Sequence, residues 1–279
     1  MASALGGKTF ILGIGAQKAG TSWLADYLQD RSEVFMAPLK ELHYFDTKFM
    51  PDFRQRFDVL FKRKRSTLRR QLLWPSKTRW ERLEHVNARI AMTSDRDYID
   101  YFERFVPEQC THFGEITPSY SMLSSSAFEN MAGCFERSKV IFILRDPVDR
   151  FYSHLRMNIR SGRLKGSDEE LFVNALDDRL YVKRTQYHET LAAVRAVFPA
   201  EDILVSFYED MFCDEEIARI CNFLSLSFVP GAYGDKSNAA PKPAKLDPEL
   251  AALARERFAP VYDYCRAEFG ERVPASWRA

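Results

Sequence analysis

Short apolar runs alternate with amphipathic stretches along most of this chain. Thr9–Ile14 is a β-branched and aromatic run ending in glycine, the pattern of a strand buried on both faces. Thr21–Asp30 follows with Trp23, Leu24, Tyr27 and Leu28 at i, i+1, i+4 and i+5, one apolar face of a helix. Phe113–Ile116 predicts a second short strand, stopped at Thr117-Pro118. Lys139–Leu144 is the clearest core strand and runs into Arg145-Asp146-Pro147, where Asp suits a helix N-cap and Pro the first helical position. The helix it opens is predicted to reach about Arg160 and end near Gly162. Beyond it the pattern predicts a helix over Lys183–Phe198, a strand over Ile203–Phe207 and a helix over Asp214–Leu224. A polar loop, Gly231–Lys245, then precedes a last helix over Pro248–Phe269. Strands alternating with helices predict an α/β fold of three layers, a central parallel sheet flanked by helices.

Composition changes this picture mainly by exclusion. With 279 residues, 46% hydrophobic, no internal repeat and no long Pro/Gly/Ser-rich linker, the chain is expected to form one domain over residues 1–279. A helical, basic insertion is expected at about residues 50–110, where Phe61–Arg70 carries six cations in ten positions. That cluster is either a solvated face or a surface that attracts an acidic acceptor. Overall, 40 Lys and Arg balance 39 Asp and Glu, so no bulk charge marks a nucleic-acid or membrane binder. Anion recognition must come from local placement. Five scattered cysteines fit reduced thiols and a cytoplasmic location better than a disulfide framework. No Cys-x-x-Cys and no close histidine pair suggests a zinc site. No apolar run approaches the roughly 18 residues needed to span a bilayer, and the N-terminus lacks signal-peptide patterning.

The candidate chemistry starts after the first strand, at Gly15-Ala16-Gln17-Lys18-Ala19-Gly20-Thr21-Ser22. Two glycines five apart let the backbone turn tightly and aim its N–H groups at an anion, and the following helix adds its positive end. This is phosphate-loop logic between strand and helix. The triphosphatase form places Lys after the second glycine; here Thr21 stands there and the lysine lies inside the loop, at Lys18.

Gly15 to Trp23-Leu24 resembles the 5′-phosphosulfate loop of sulfotransferases that use 3′-phosphoadenosine 5′-phosphosulfate (PAPS). Lys40-Glu41-Leu42-His43-Tyr44-Phe45-Asp46 resembles the Glu-x-His-Phe-Phe-Asp segment of the heparan-sulfate-type branch, which bacterial sulfotransferases share. Phe113–Tyr120 and Val140–Arg150 match that branch in order and spacing, so the resemblance spans roughly residues 9 to 245. It implies a P-loop-like fold and sulfuryl transfer from PAPS to an acceptor hydroxyl of a glycan, lipid headgroup or small metabolite, with 3′,5′-ADP as product. On this resemblance Gly15, Gln17, Lys18, Ala19, Gly20, Thr21, Ser22 and Trp23 hold the 5′ end of the donor, and Arg145 with Ser153 grips its 3′-phosphate. Ser153 lies seven residues past Asp146, about two turns, and so returns to the face where the helix begins. Lys236, Asn238 and Lys242 resemble a loop closing over that phosphate, and Tyr187 sits where relatives place a tyrosine near the donor, although core packing fits it equally.

In-line displacement at sulfur builds charge on the leaving bridging oxygen, which Lys18 can stabilise, and requires a base for the acceptor hydroxyl. The resemblance gives that role to Glu41, whose pKa is expected to be raised by aromatic surroundings. His43, pointing the same way along an extended segment, orients Glu41 or the acceptor, or is itself the base. Asp46 supports the histidine or the acceptor; Glu115 lines an acceptor pocket or makes a structural bond. No metal is expected. The alternative is a P-loop kinase using ATP-Mg, which would want a lysine after Gly20 and an acid where Arg145 stands. A third reading, a scaffold that kept the loop without the chemistry, is opposed by the presence of both Lys18 and Glu41.

Overall fold

The computed structural model describes residues 4–71, 76–234 and 246–278. Its centre is β1 (Thr9–Gly15), whose six inner positions are buried on both faces. Helix α1 (Thr21–Gln29) carries the chain to β2 (Val34–Met36), a strand too short for alternation to reveal. Helix α2 (Tyr44–Phe49) comes next, and α3 (Pro51–Gln71), α4 (Lys77–Ala91) and α5 (Asp95–Phe105) occupy the helical stretch expected at about residues 50–110. The chain then forms β3 (His112–Ile116), α6 (Ser125–Ala132), β4 (Ser138–Leu144) and α7 (Pro147–Arg160). After α8 (Asp168–Asp177), α9 (Arg179–Lys183) and α10 (Tyr187–Arg195) come β5 (Ile203–Phe207), α11 (Asp214–Phe223), α12 (Pro248–Arg257) and α13 (Ala259–Phe269).

All five strands are parallel, in the order β2-β3-β1-β4-β5. The architecture is therefore the expected α/β sheet flanked by helices. The chain leaves β1 for one edge and β4 for the other, and ligands bind in α/β proteins outside the carboxyl ends of such neighbouring strands. Close approach of β1 and β3 depends on glycine: a Cβ on Gly114 would stand 2.0 Å from the Ile11 carbonyl oxygen.

Two predicted helices are broken. The segment Lys183–Phe198 forms a helix only over α10, Tyr187–Arg195; Lys183 ends α9, and between them buried Thr185 accepts from Arg150 Nε at 3.0 Å. Pro248–Phe269 divides at buried Phe258, since Pro260 has no N–H to continue a helix. Asp146 caps α7 as its sequence indicates, accepting from the amides of Val148 and Asp149 at 3.0 Å. No described helix is long and apolar enough to cross a membrane.

Candidate active site

The loop between β1 and α1 is folded for an anion. Gly20 takes φ +79° and begins α1 without a side-chain cap. Trp23 and Leu24 amides bond the Gly20 carbonyl, leaving the helix's first amides and its positive end open. Lys18 also has a positive φ, +74°. Ala19 and Thr21 are buried, whereas Gln17, Lys18 and Ser22 are partly open, and Gln17 Oε1 is buried with no partner. Trp23 is packed away between Tyr27 and Tyr233, its indole N–H donating to the Ala232 carbonyl at 3.3 Å. It anchors the segment 231–234 instead of facing the loop's concavity. The expected closing residues Lys236, Asn238 and Lys242 lie outside the described residues.

Arg145, at the end of β4, reaches back to this loop: Nη1 donates to the Lys18 carbonyl at 2.9 Å, and the guanidinium lies 4.6 Å from the Tyr208 ring centroid. Its Nε is buried and unpartnered, and its contact with exposed Asp149 is long, 3.8 Å. Ser153 is partly exposed two turns along α7, beside buried His154. Tyr187 is fully buried and its hydroxyl donates to the Arg145 carbonyl at 2.7 Å, so it positions Arg145 and does not present a free group.

Sequence reasoning missed two further cations, Arg150 and Arg184. Both are buried and each has an unpartnered Nη1. Burial pushes each guanidinium down to about 10. Burial, followed by the charges of Arg160, Arg145 and Lys40, also lowers the Lys18 ammonium. His154 is held neutral by burial and by Arg150, Arg184, Lys18 and Arg56 around it. The usable signal was a charge on an apolar stripe: Arg150 shares the buried face of α7 with Val148, Phe151, His154 and Leu155.

A second cluster occupies the turn after β2. Glu41 and His43 are not extended, contrary to expectation; both are left-handed, at φ +66° and +53°. Even so, Glu41 Oε2 meets His43 Nε2 at 2.9 Å, and His43 Nδ1 meets Asp46 Oδ2 at 2.6 Å. Ser119 donates to the same Asp46 oxygen at 2.5 Å, and the Phe57 ring stacks on the imidazole at 3.6 Å. Asp46 is fully buried, so it supports the histidine and does not touch an acceptor.

The expected upward shift of Glu41 is also reversed. Burial raises its carboxyl, but the bond and charge of His43, with the charge of Arg184, pull it below the ordinary value. Burial lowers His43, and Asp46 and Glu41 more than reverse that, so the imidazole is raised. Glu41 keeps about a third of its side chain exposed. Both ring nitrogens of His43 are engaged, so Glu41 is the member of the Glu41–His43–Asp46 series that faces outward.

Buried side chains fix the turn. Arg89 of α4 donates through Nε to the Leu42 carbonyl and through Nη2 to the His43 carbonyl at 2.6 Å. Glu115 accepts from the Leu42 amide at 3.3 Å, Thr117 at 2.6 Å, Tyr98 at 2.7 Å and Tyr120 at 3.0 Å. It is 1% exposed, and burial raises its carboxyl. The proposed acceptor contact by Glu115 is thus replaced by a scaffold role. Among the described residues no group of three or more His, Cys, Asp or Glu side chains could hold a metal ion.

Residues 10–230 match the model of a sulfotransferase family. The fold is similar to the crystal structure of a sulfotransferase from Alicyclobacillus acidocaldarius, with a TM-score of 0.68, 23% identity and 98% of each chain covered. It is also similar to a sulfotransferase domain from the curacin biosynthetic pathway, with a TM-score of 0.53, 18% identity, and 91% of this chain and 97% of that one covered. A comparison with curated proteins finds no match.

Proposed function

Because this chain belongs to the sulfotransferase family, we propose that it transfers the sulfuryl group of PAPS to an acceptor hydroxyl, with Glu41 as base and Lys18 at the leaving oxygen. The observation that carries this reading is the pairing of an acid-poor cation cluster with an outward-facing carboxylate backed by a histidine. Orphaned buried donors support the fit to a polyanionic nucleotide: Arg145 Nε, on a side chain bonded to the Lys18 carbonyl of the loop, and Arg150 Nη1 both lack partners. The loop amides, Lys18, Thr21 and Ser22 would hold the 5′ end; Arg145 and Ser153 would hold the 3′-phosphate. The donor supplies the activated sulfuryl group.

The chain's own residues do the rest. Glu41 takes the acceptor's proton while the acceptor oxygen bonds to sulfur and the sulfur–oxygen bond to 3′,5′-ADP breaks. His43, held by Asp46, keeps Glu41 ionised and aimed. Lys18, in a partly desolvated loop, offsets charge on the departing oxygen. The lowered Glu41 value suits a base that acts late, once bonding to sulfur has made the hydroxyl acidic. A kinase reading gains nothing from the site, since Arg145 stands at the strand end where an acid would be wanted for magnesium.

Isothermal titration tests the donor assignment. The expected result is tight binding of 3′,5′-ADP without metal; preference for ATP-Mg would overturn it.

A further inference from the structure

Three cations border the Glu41–His43 pair without an ion-paired carboxylate, and none of them is assigned a donor contact or a proton above. Arg184, after α9, is 8% exposed, with Nη1 unpartnered and its guanidinium 6.0 Å from the Phe53 ring centroid. Phe53 lies 5.7 Å from Phe57, the ring that stacks on His43. Arg56 sits 5.8 Å from the same Phe57 ring, and Lys64 lies 5.2 Å from Phe61, about one turn past Phe57 and two past Phe53 on the buried face of α3. The aromatic stripe of α3 therefore carries a graded set of cations, buried at Arg184, half-buried at Lys64 and exposed at Arg56. Among the described residues none of the three has a carboxylate within ion-pairing distance.

Each of the three feels the charge of Glu41, but that single charge is committed to His43 at 2.9 Å. A guanidinium withdrawn from water without a paired anion, as at Arg184, is costly, so an excess of cations of this kind points to a ligand's charge. The donor contacts proposed above use Lys18, Arg145 and the start of α1, so no donor group is assigned to these three. Two planar guanidinium groups and an ammonium suit a phosphate better than a carboxylate, in charge and in donor number.

We propose that Arg184, Lys64 and Arg56 form an acceptor subsite for a phosphate group, so that the molecule sulfated here carries a phosphate close to the reacting hydroxyl. This rests on the sulfuryl-transfer reading and narrows its acceptor. The phosphate can belong to a water-soluble phosphate ester or to a phospholipid headgroup.

The test uses the full-length enzyme saturated with 3′,5′-ADP and titrated with inorganic phosphate. Phosphate should bind the loaded enzyme, and its affinity should fall at least tenfold in Arg184→Met. The same fall is expected in the Arg56→Ala/Lys64→Ala variant, which alters more open positions and guards against misfolding of the first. Affinity for 3′,5′-ADP should stay within about threefold in both. No phosphate binding to the loaded enzyme, or binding unchanged in both variants, overturns the subsite and leaves the donor reading intact. Failure of wild-type enzyme to bind 3′,5′-ADP overturns both. Binding of glucose 6-phosphate against glucose, and of phosphatidylinositol vesicles against galactosyl-diacylglycerol vesicles, then separates the sources. Preference for the phosphate-bearing member of either pair supports the subsite and names its source; preference in neither refutes it.

Discussion

Removing the imidazole of His43 is the sharpest test of the relay, because its consequences differ for stability and for chemistry. In the folded protein His43 stands between Glu41 at 2.9 Å and Asp46 at 2.6 Å, and Asp46 has no solvent exposure. His43→Gln leaves Asp46 Oδ2 with Ser119 as its remaining partner, while Oδ1 is already unpartnered. Breaking one side of a buried pair in this way typically costs about 3–5 kcal/mol. Loss of the Phe57 stack adds to that. Asp46→Asn removes the charge but keeps the shape, so the double variant His43→Gln/Asp46→Asn should recover part of the loss. Urea unfolding of the four proteins gives the coupling directly, and about 2 kcal/mol or more is expected. Sulfuryl transfer should behave otherwise: the double variant regains stability without regaining rate, since Glu41 is still unsupported. A His43→Gln protein destabilised by less than about 1 kcal/mol, or a double variant restored in rate, would refute the assignment of a buried charge chain.

Other perturbations probe the rest of the site. Lys18→Ala should lower kcat by about 100- to 1000-fold, as loss of a group that stabilises transition-state charge does, with the fold retained by circular dichroism; a change under tenfold rejects its role. The Glu41–His43 bond should stabilise most between the ordinary values of 4.5 for the carboxyl and 6.5 for the imidazole. The lowered Glu41 loses its contribution as pH falls through its folded value, and the raised His43 loses its own as pH rises through its folded value. The stability gap between wild type and Glu41→Gln should therefore narrow on both sides, and a gap constant from pH 4 to 9 contradicts the pairing. Gly114→Ala should destabilise by about 1–3 kcal/mol or prevent folding, since its Cβ would meet the Ile11 carbonyl oxygen at 2.0 Å. EDTA should leave transfer unchanged.

The sheet was largely legible because buried parallel strands write themselves as unbroken apolar runs, as Thr9–Gly15 and Ser138–Leu144 do. Short β2 left no such trace, and the breaks at Thr185 and Phe258 lie beside a tertiary bond and a proline that periodicity does not weigh. Within the site, Lys18, Glu41, His43 and Arg145 could be named from motifs. Their environment could not. The sign of the Glu41 shift depends on which of burial and His43 wins, and that depends on a 2.9 Å contact made by two left-handed residues. Glu115 and Asp46 looked like candidate ligand contacts because acids near motifs usually are; only their burial, with protein donors on both Glu115 oxygens and on Asp46 Oδ2, shows that they face inward.

Left-handed backbone at two non-glycine residues costs of order 1–3 kcal/mol each, and needs surroundings that over-determine it. Here the surroundings come mainly from α3–α5. Arg89 of α4 holds two consecutive carbonyls of the turn, and Tyr98 of α5 fixes the Glu115 carboxylate that receives the Leu42 amide. From the side of β3, the Tyr120 hydroxyl accepts from the Tyr44 amide at 3.1 Å. Helix α3 also supplies Phe57 against the imidazole and the cations Arg56 and Lys64. The turn that carries the proposed base is thus held largely by α3–α5, while the proposed donor contacts come from the loop after β1 and the junction of β4 with α7. Those two halves can vary separately. A change in α3 should alter which acceptor is sulfated without disturbing the nucleotide, whereas loss of the Arg89 clamp, as in Arg89→Met, should lower kcat and leave 3′,5′-ADP affinity within about threefold. If Arg89→Met instead weakens 3′,5′-ADP in proportion to its loss of rate, the turn and the donor loop are one unit and this division is wrong.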